Sequence, residues 1–224
     1  LEKDELLEEA KNIYTEFNIV KNMPITIDLK KSHLGIVGNK KYVHEQLNII
    51  FAKLAFFQSY NDLEVILIHN EKYRDDVRWL RWYPHFRINA INVRGFIDTD
   101  RVRDQILGNL SQILKDRELK LAEKKEKIKF TPHYLFVIDE PSLIMNNSIM
   151  EYLQRYDSKL GFSIIYTSEL KAELPENIRT IFTIDNYEEG TLVINEGKLV
   201  NKKITLSHVD VDLENLSRRL SCLN

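Results

Sequence analysis

Between residues 4 and 17, Leu6, Leu7, Ala10, Ile13, Tyr14 and Phe17 return every three or four positions among acidic and basic neighbours, the period of one apolar helical face. Pro24 breaks the pattern, and Ile25, Ile27 and Leu29 then alternate with their neighbours, which predicts a short strand. The run from His33 to Val37 reads as a buried strand ending at Gly38. Helical spacing resumes with Val43, Leu47, Ile50, Phe51, Leu54 and Phe57, and Asn61-Asp62 stops that helix before a nearly continuous apolar run over 63–68. Strand, helix and strand in that order predict a βαβ unit. Continuous strand runs, rather than alternating ones, belong to strands covered on both faces.

The same rhythm carries through the rest of the chain. A short helix holds Trp79 and Trp82, 88–93 reads as a strand, 98–129 as a long helix, and 134–138, the most apolar run, as a strand followed by another helix. Strands are expected over 162–166 and 181–184. Residues 192–194 and 199–200 pair across Asn195-Glu196-Gly197 as a hairpin, and a helix over 213–220 closes the chain. No Gly/Ser/Pro-rich linker and no internal repeat divides the pattern. The expected architecture over 1–224 is therefore one three-layer α/β domain with a mostly parallel sheet flanked by helices. A leading helix occupies 1–20 and the α/β core 25–224.

Composition narrows the function classes. With 224 residues, 43% hydrophobic and 29% charged, the chain can bury a real core, which excludes disordered and fibrous classes. No apolar run approaches the roughly 20 residues that span a bilayer. A formal net charge of −2 supplies no global positive field for nucleic acid. The single cysteine, Cys222, cannot close an internal disulfide and fits a reducing compartment. The six histidines are scattered with no His-x-x-x-His, so no metal-ligand pattern is visible, and no Gly-x-Ser-x-Gly elbow marks a serine nucleophile. The sequence opens at Leu1 directly in a charged helix, and reads as a domain excised from a longer protein.

A strand that ends in Gly and runs into a helix is where α/β proteins bind phosphate, because the helix N-terminus offers free N–H groups and a positive dipole. Gly38 sits at that place. A P-loop reads G-x-x-x-x-G-K-[ST], its second Gly letting the backbone wrap the phosphates, its Lys reaching them and its hydroxyl holding Mg²⁺. Counted from Gly38, those three positions are Val43, His44 and Glu45. The wrap, the cation and the metal ligand are all replaced, and Glu45 brings a carboxylate. The second half of such a site is better kept: the apolar strand over 134–138 ends in Asp139-Glu140, where an ATPase places one carboxylate by Mg²⁺ and another by the attacking water. The same pair also suits an ordinary helix start, with Asp139 as the cap and Pro141 in the first turn. Thr167-Ser168, after the next strand, stands where a γ-phosphate-sensing polar residue would.

Other features carry a sharp and a bland reading. Trp79 and Trp82, three apart, could anchor a partner or pack locally. His85 follows Pro84 with no carboxylate or Cys beside it. Residues 115–129 are net basic, yet their mixed signs, as in the pair Glu123 and Lys127, fit the solvated face of a long helix.

Four stretches carry a family likeness: Pro24-Ile25-Thr26-Ile27-Asp28-Leu29, the strand end Gly35 to Gly38, Leu54-Ala55 with Ser59-Tyr60-Asn61-Asp62-Leu63, and Trp79-Leu80-Arg81-Trp82-Tyr83-Pro84-His85. On these the chain resembles, over nearly its whole length, the FtsK/SpoIIIE-type ATPase family, and within it the EssC/EccC proteins of type VII secretion. The resemblance is to the degenerate ATPase-like domain ahead of their first functional ATPase domain. It implies a P-loop ATPase-like (RecA/FtsK-like) fold with a degenerate nucleotide site at Gly38, Val43, His44 and Glu45, and a Walker-B-like pair at Asp139 and Glu140. It further implies that the domain is not itself an enzyme and takes no cofactor, with ATP and Mg²⁺ in other domains of the parent. Implied partners are adjacent domains of the same protein, neighbouring subunits of a hexameric ring, other type VII secretion components and secreted substrates, at the cytoplasmic face of the bacterial membrane. The alternative is an active or nucleotide-binding ATPase domain with a non-standard P-loop, in which Lys40 or Lys41 stands in for the missing lysine.

Overall fold

The computed structural model describes residues 2–17, 25–123, 128–155, 158–195, 199–206, 208 and 212–222. Along the chain lie α1 (Glu2–Phe17), β1 (Leu34–Gly38), α2 (Lys40–Phe57), β2 (Leu63–Ile68), β3 (Arg87–Ile88), β4 (Val93–Arg94), β5 (Phe96–Ile97), α3 (Asp100–Glu123), β6 (His133–Ile138), α4 (Met150–Leu153), β7 (Phe162–Ser168), β8 (Thr180–Ile184), β9 (Glu189–Asn195), β10 (Leu199–Thr205) and α5 (Leu213–Ser221). One eight-stranded sheet has the order β10-β9-β8-β1-β7-β6-β2-β5. The run from β8 to β5 is parallel, and β9 and β10 add an antiparallel ribbon at one side. Strand side chains alternate between two cores. Tyr134, Phe136 and Ile138 of β6 join Leu107, Leu110 and Leu114 of α3, while Leu135 and Val137 join Val43, Leu47 and Phe51 of α2 with Leu80 and Phe86. This two-sided burial is why β2, β6 and β7 are apolar on both faces over most of their length, Glu64 and Ser163 being buried polar exceptions.

Several expectations are corrected. Residues 25–28 form no strand: Asp28 accepts from Lys30 N at 3.0 Å and turns the chain, and the segment is tied to the sheet by Ser163 Oγ, which donates to Leu29 O at 2.9 Å. Residues 88–93 are a hairpin rather than one strand, with Asn92 at φ 54 and Asn89 held by Glu64 Oε1. The long helix starts at Asp100 and is described to Glu123, residues 128–130 being irregular; Lys124 to Lys127, and with them the Glu123 and Lys127 pair, lie outside the described residues. Within it Arg117 is no solvated charge. It is buried, donating from Nη1 to Leu160 O at 2.9 Å and Gly161 O at 3.1 Å and from Nη2 to Pro132 O at 2.6 Å. After β6 comes only a 3₁₀ turn (Pro141–Leu143) and the four-residue α4, because Asn147 caps a fresh turn by accepting from Ile149 N. Pro24 and the turn at 196–198 also lie outside the described residues, while the register Leu199↔Asn195 and Val200↔Ile194 agrees with the expected hairpin. On α1, Leu6, Leu7, Ile13 and Tyr14 are exposed, as is Phe57 on α2.

Candidate functional site

The turn from β1 into α2 takes a single residue. Gly38 has φ +153, and a Cβ there would stand 2.9 Å from Ile184 O, so only glycine fits where β1 passes β8. Asn39 caps the helix, its Oδ1 accepting from Lys41 N at 3.1 Å while Val43 N donates to Asn39 O at 3.0 Å. Helix therefore begins where a phosphate loop would still be wrapping. Asn39→Ala is expected to cost about 1 kcal/mol of stability, and Asn39→Asp far less, since the side-chain oxygen is retained; urea denaturation of the three proteins checks this.

Helical phase then decides where the degenerate positions go. Val43 is buried in the core against β1 and β2. Glu45 is half-buried and takes no part in the ion pairs described next. Lys40 and His44, one turn apart on the same face of α2, both reach the end of β6. Lys40 forms an ion pair with Glu140 and stands 3.5 Å from Asp139 Oδ2. His44 Nε2 is 3.2 Å from Asp139 Oδ1, and its ring meets Tyr73 edge-on at 4.8 Å. The Lys40 ammonium also lies over that ring at 4.8 Å.

Asp139 is 2% exposed. It sits there because its backbone N–H donates to Ile68 O at 2.8 Å, prolonging the β6–β2 ladder, and Thr167 Oγ1 donates to its Oδ1 at 2.7 Å from the neighbouring β7. The helix-cap reading of Asp139 is corrected: the turn at Pro141–Leu143 has no side-chain cap, and the carboxylate points to α2 and β7 instead. Glu140 occupies φ 141, ψ 115, a conformation that costs a non-glycine residue on the order of 1–3 kcal/mol and clusters at sites where surroundings over-determine it. Burial works against the charge on Lys40, but the bond to Glu140 and the field of both carboxylates outweigh it and hold the ammonium above the ordinary lysine value. One ammonium of the chain itself thus offsets part of the acid pair's charge, while Asp139 Oδ2 is buried without a hydrogen-bond partner among the described residues. Beside it, His44, Phe51, Leu67, His69, Tyr73 and Asp139 enclose about 30 Å³, room for water rather than for a ligand of the usual 300–1,000 Å³.

The structure brings Gly38, His44, Asp139 and Glu140 to one strand-end cluster and leaves Val43 and Glu45 outside its polar contacts. Thr167 belongs to it; Ser168 does not, since its hydroxyl bonds Glu173. Sequence reasoning missed Lys40 as the counter-ion and Tyr73 as the wall. Lys40 was readable from its i, i+4 spacing to His44; Tyr73, in an irregular turn, gave no signal. His85 is a core group. Its Nε2 is 2.8 Å from Gln58 O, and burial lowers its pKa against the opposing pull of that bond. Trp79 is buried, whereas Trp82 is half-exposed between the guanidinium groups of Arg81 at 4.8 Å and Arg218 at 5.6 Å. The two tryptophans therefore do different work, one packing the core and one joining α5 to the turn at Arg78–Trp82. Among the described residues no cluster of His, Cys, Asp and Glu could hold a metal ion, and no helix is long and apolar enough to cross a membrane.

No family model matches the chain. It is 35% identical over 222 residues to the ESX secretion system protein YukB of Bacillus subtilis (strain 168), covering 99% of this chain and 15% of that protein. It is likewise 35% identical over 225 residues to the type VII secretion system protein EssC of Staphylococcus aureus (strain MSSA476), again 99% and 15%. The chain thus spans about 15% of the length of these curated relatives. Among solved structures it is similar to EssC (ATPases 2 and 3) of Geobacillus thermodenitrificans, with TM-score 0.64 and 13% identity over 87% of this chain and 44% of that one. It is similar also to Thermomonospora curvata EccC (ATPases 2 and 3) in complex with a signal sequence peptide, with TM-score 0.63 and 11% identity over 84% and 39%. These likenesses show the fold, that of the EssC/EccC ATPase domains.

Proposed function

The chain is related over nearly its whole length to one segment of the EssC and YukB proteins of type VII secretion, and from that relationship we propose that it is an ATPase-like domain that does not hydrolyse nucleotide and serves a secretion motor by contact. The observation that carries the reading is the ion pair between Lys40 and the Asp139-Glu140 acid pair. Where an ATPase offers these carboxylates to Mg²⁺ and water, this chain offers them to its own helix. ATP and Mg²⁺ do not fit the residues present: no loop separates Gly38 from α2, and a second cation beside Lys40 would meet like charge at close range. The alternative, in which Lys40 replaces the P-loop lysine, has to break this ion pair first, and Lys41 is exposed and makes no ion pair among the described residues.

In the parent protein the domain would link a membrane-anchored part on the cytoplasmic face to active ATPase domains, pack against neighbouring subunits of a ring, and work beside other secretion components. A related EccC was solved with a signal sequence peptide, so a secreted substrate is a further partner to test. Calorimetry of the isolated domain with millimolar ATP and Mg²⁺ is expected to give no saturable binding. Micromolar, Mg²⁺-dependent binding abolished by Asp139→Ala would overturn the reading and make Asp139 and Glu140 ligands. In cells, deletion of residues 1–224 from the parent should abolish export.

A further inference from the structure

A recess of about 570 Å³ opens at the other end of the sheet, where Leu63, His133 and Ser163 lie at the starts of β2, β6 and β7. That is within the range, about 300–1,000 Å³, of pockets that hold a ligand. Ile27, Leu54, Leu63 and Phe130 give it an apolar lining, and Lys30, Lys129 and Lys159 a basic rim. Its field has a definite sign. Burial and then the charges of Lys30, Arg117 and Lys129 push the His133 pKa down to about 4, and all the charges acting on that ring are cationic. Of the two carboxylates on the lining, Asp28 is engaged by Lys30 N at 3.0 Å and by Lys31 at 3.9 Å, which leaves Asp62 against the lysines. Lys129 itself is exposed and makes no ion pair among the described residues. The segment 120–129, which leads into this wall, carries five lysines against two glutamates.

The complementary surface is on α1. Every residue over 6–14 is exposed, and the apolar Leu6, Leu7, Ile13 and Tyr14 are 54–68% exposed, so this stretch of helix rests on nothing in its own domain. The 16-residue helix holds six acidic residues against two lysines, a net charge of −4. A helix of that length is marginal in water until its apolar face is covered. We propose that α1 of one copy of this chain docks its apolar stripe into the base recess of a second copy, with Leu6, Ala10 and Ile13 inward and its acidic flanks along Lys30, Lys129 and Lys159. Anchors at this spacing are those of helix-in-groove docking. Packing α1 on a second α1 would set acid against acid, whereas the recess offers the opposite charge. Helix and recess are different surfaces, so the contact is head-to-tail, the kind that closes into a ring or runs on as an open chain. The inference rests on the contact reading above, yet its test involves neither nucleotide nor hydrolysis, so either can fail alone.

Sedimentation velocity of the 224-residue chain is expected to show self-association with a Kd of about 100 µM, weak because one docked helix about 24 Å long covers less than a standard interface. Two variants separate the surfaces. Leu6→Ala with Ile13→Ala removes the stripe but keeps good helix formers, and Lys129→Glu reverses the rim. Each alone should weaken association about tenfold or more, with the melting temperature unchanged because all three residues are exposed. Mixed in equal amounts, the two should form a 1:1 dimer with the wild-type affinity that grows no further, since one copy brings the intact recess and the other the intact helix. A wild-type chain that stays monomeric at several times that Kd, as it would if α1 folded back onto its own recess, would overturn the proposal. So would association that neither variant weakens, or a mixture of the two that remains monomeric.

Discussion

Lys40→Ala is expected to lower stability by about 3 kcal/mol, among the largest single effects in the chain. Breaking a buried ion pair from one side strands the other charge, which typically costs 3–5 kcal/mol, and here two carboxylates are stranded. The Lys40 side chain is 15% exposed and Asp139 only 2%, so water cannot take over; Glu140 at 32% can be partly resolvated, which sets the figure at the low end. Removing the carboxylates together with the ammonium separates pairing from packing. Lys40→Met combined with Asp139→Asn and Glu140→Gln should recover most of the loss, because matched replacement of a buried ion cluster by neutral groups is often neutral. Urea denaturation of wild type, single and triple variants checks both statements. A loss under about 0.5 kcal/mol for Lys40→Ala would mean the acid pair finds its compensation elsewhere.

Acid should unfold the protein well above the carboxylate range. Burial lowers the pKa of His33 to about 4, and burial together with the fields of Lys30, Arg117 and Lys129 does the same for His133, whose Nε2 is 2.8 Å from Ser163 Oγ. Each folded value lies below the unfolded value of 6.5, so between pH 6.5 and 4 the unfolded chain binds more protons. Stability is then full above pH 6.5 and falls as pH drops through that window. Between pH 7.5 and 5 the loss is roughly 2 kcal/mol per histidine. Glu64, whose carboxyl burial raises, acts in the opposite sense, but only on approach to the carboxylate range. His133→Gln, which can still donate to Ser163, should remove about half the slope. Equal stability at pH 7.5 and 5 would sink this account.

The three-layer sheet was legible because two-sided burial writes itself into β2, β6 and β7 as runs that are apolar on both faces over most of their length. The EssC/EccC likeness, read from short motifs, agrees with relatives that match along nearly the whole chain. The failures have one cause. Ile25, Ile27 and Leu29 alternate as a strand would, yet β7, the strand that Leu29 touches, is already paired with β1 and β6, and Asp28 closes a turn. Residues 88–93 look like one strand because the turn between β3 and β4 is set by Asn92 and by Glu64, a side chain 25 residues before the Asn89 it holds. Arg117 sat in a run of mixed charge that looked solvated, and only the fold supplies the three carbonyls it binds. At the candidate site, the motif count showed what was missing at Val43, His44 and Glu45. It could not show that the helix moves up to Asn39 and swings Lys40 onto the acids, since that depends on where α2 begins.

The counter-charge on Asp139 and Glu140 is covalently part of the polypeptide. It has no dissociation constant, so dilution, chelators or a falling cellular energy charge cannot strip it away. The spacing between α2 and the end of β6 is accordingly fixed by the folding equilibrium rather than by occupancy. Under the contact reading this makes the domain a stationary part, one whose shape is the same at every stage of a fuel cycle run by its neighbours.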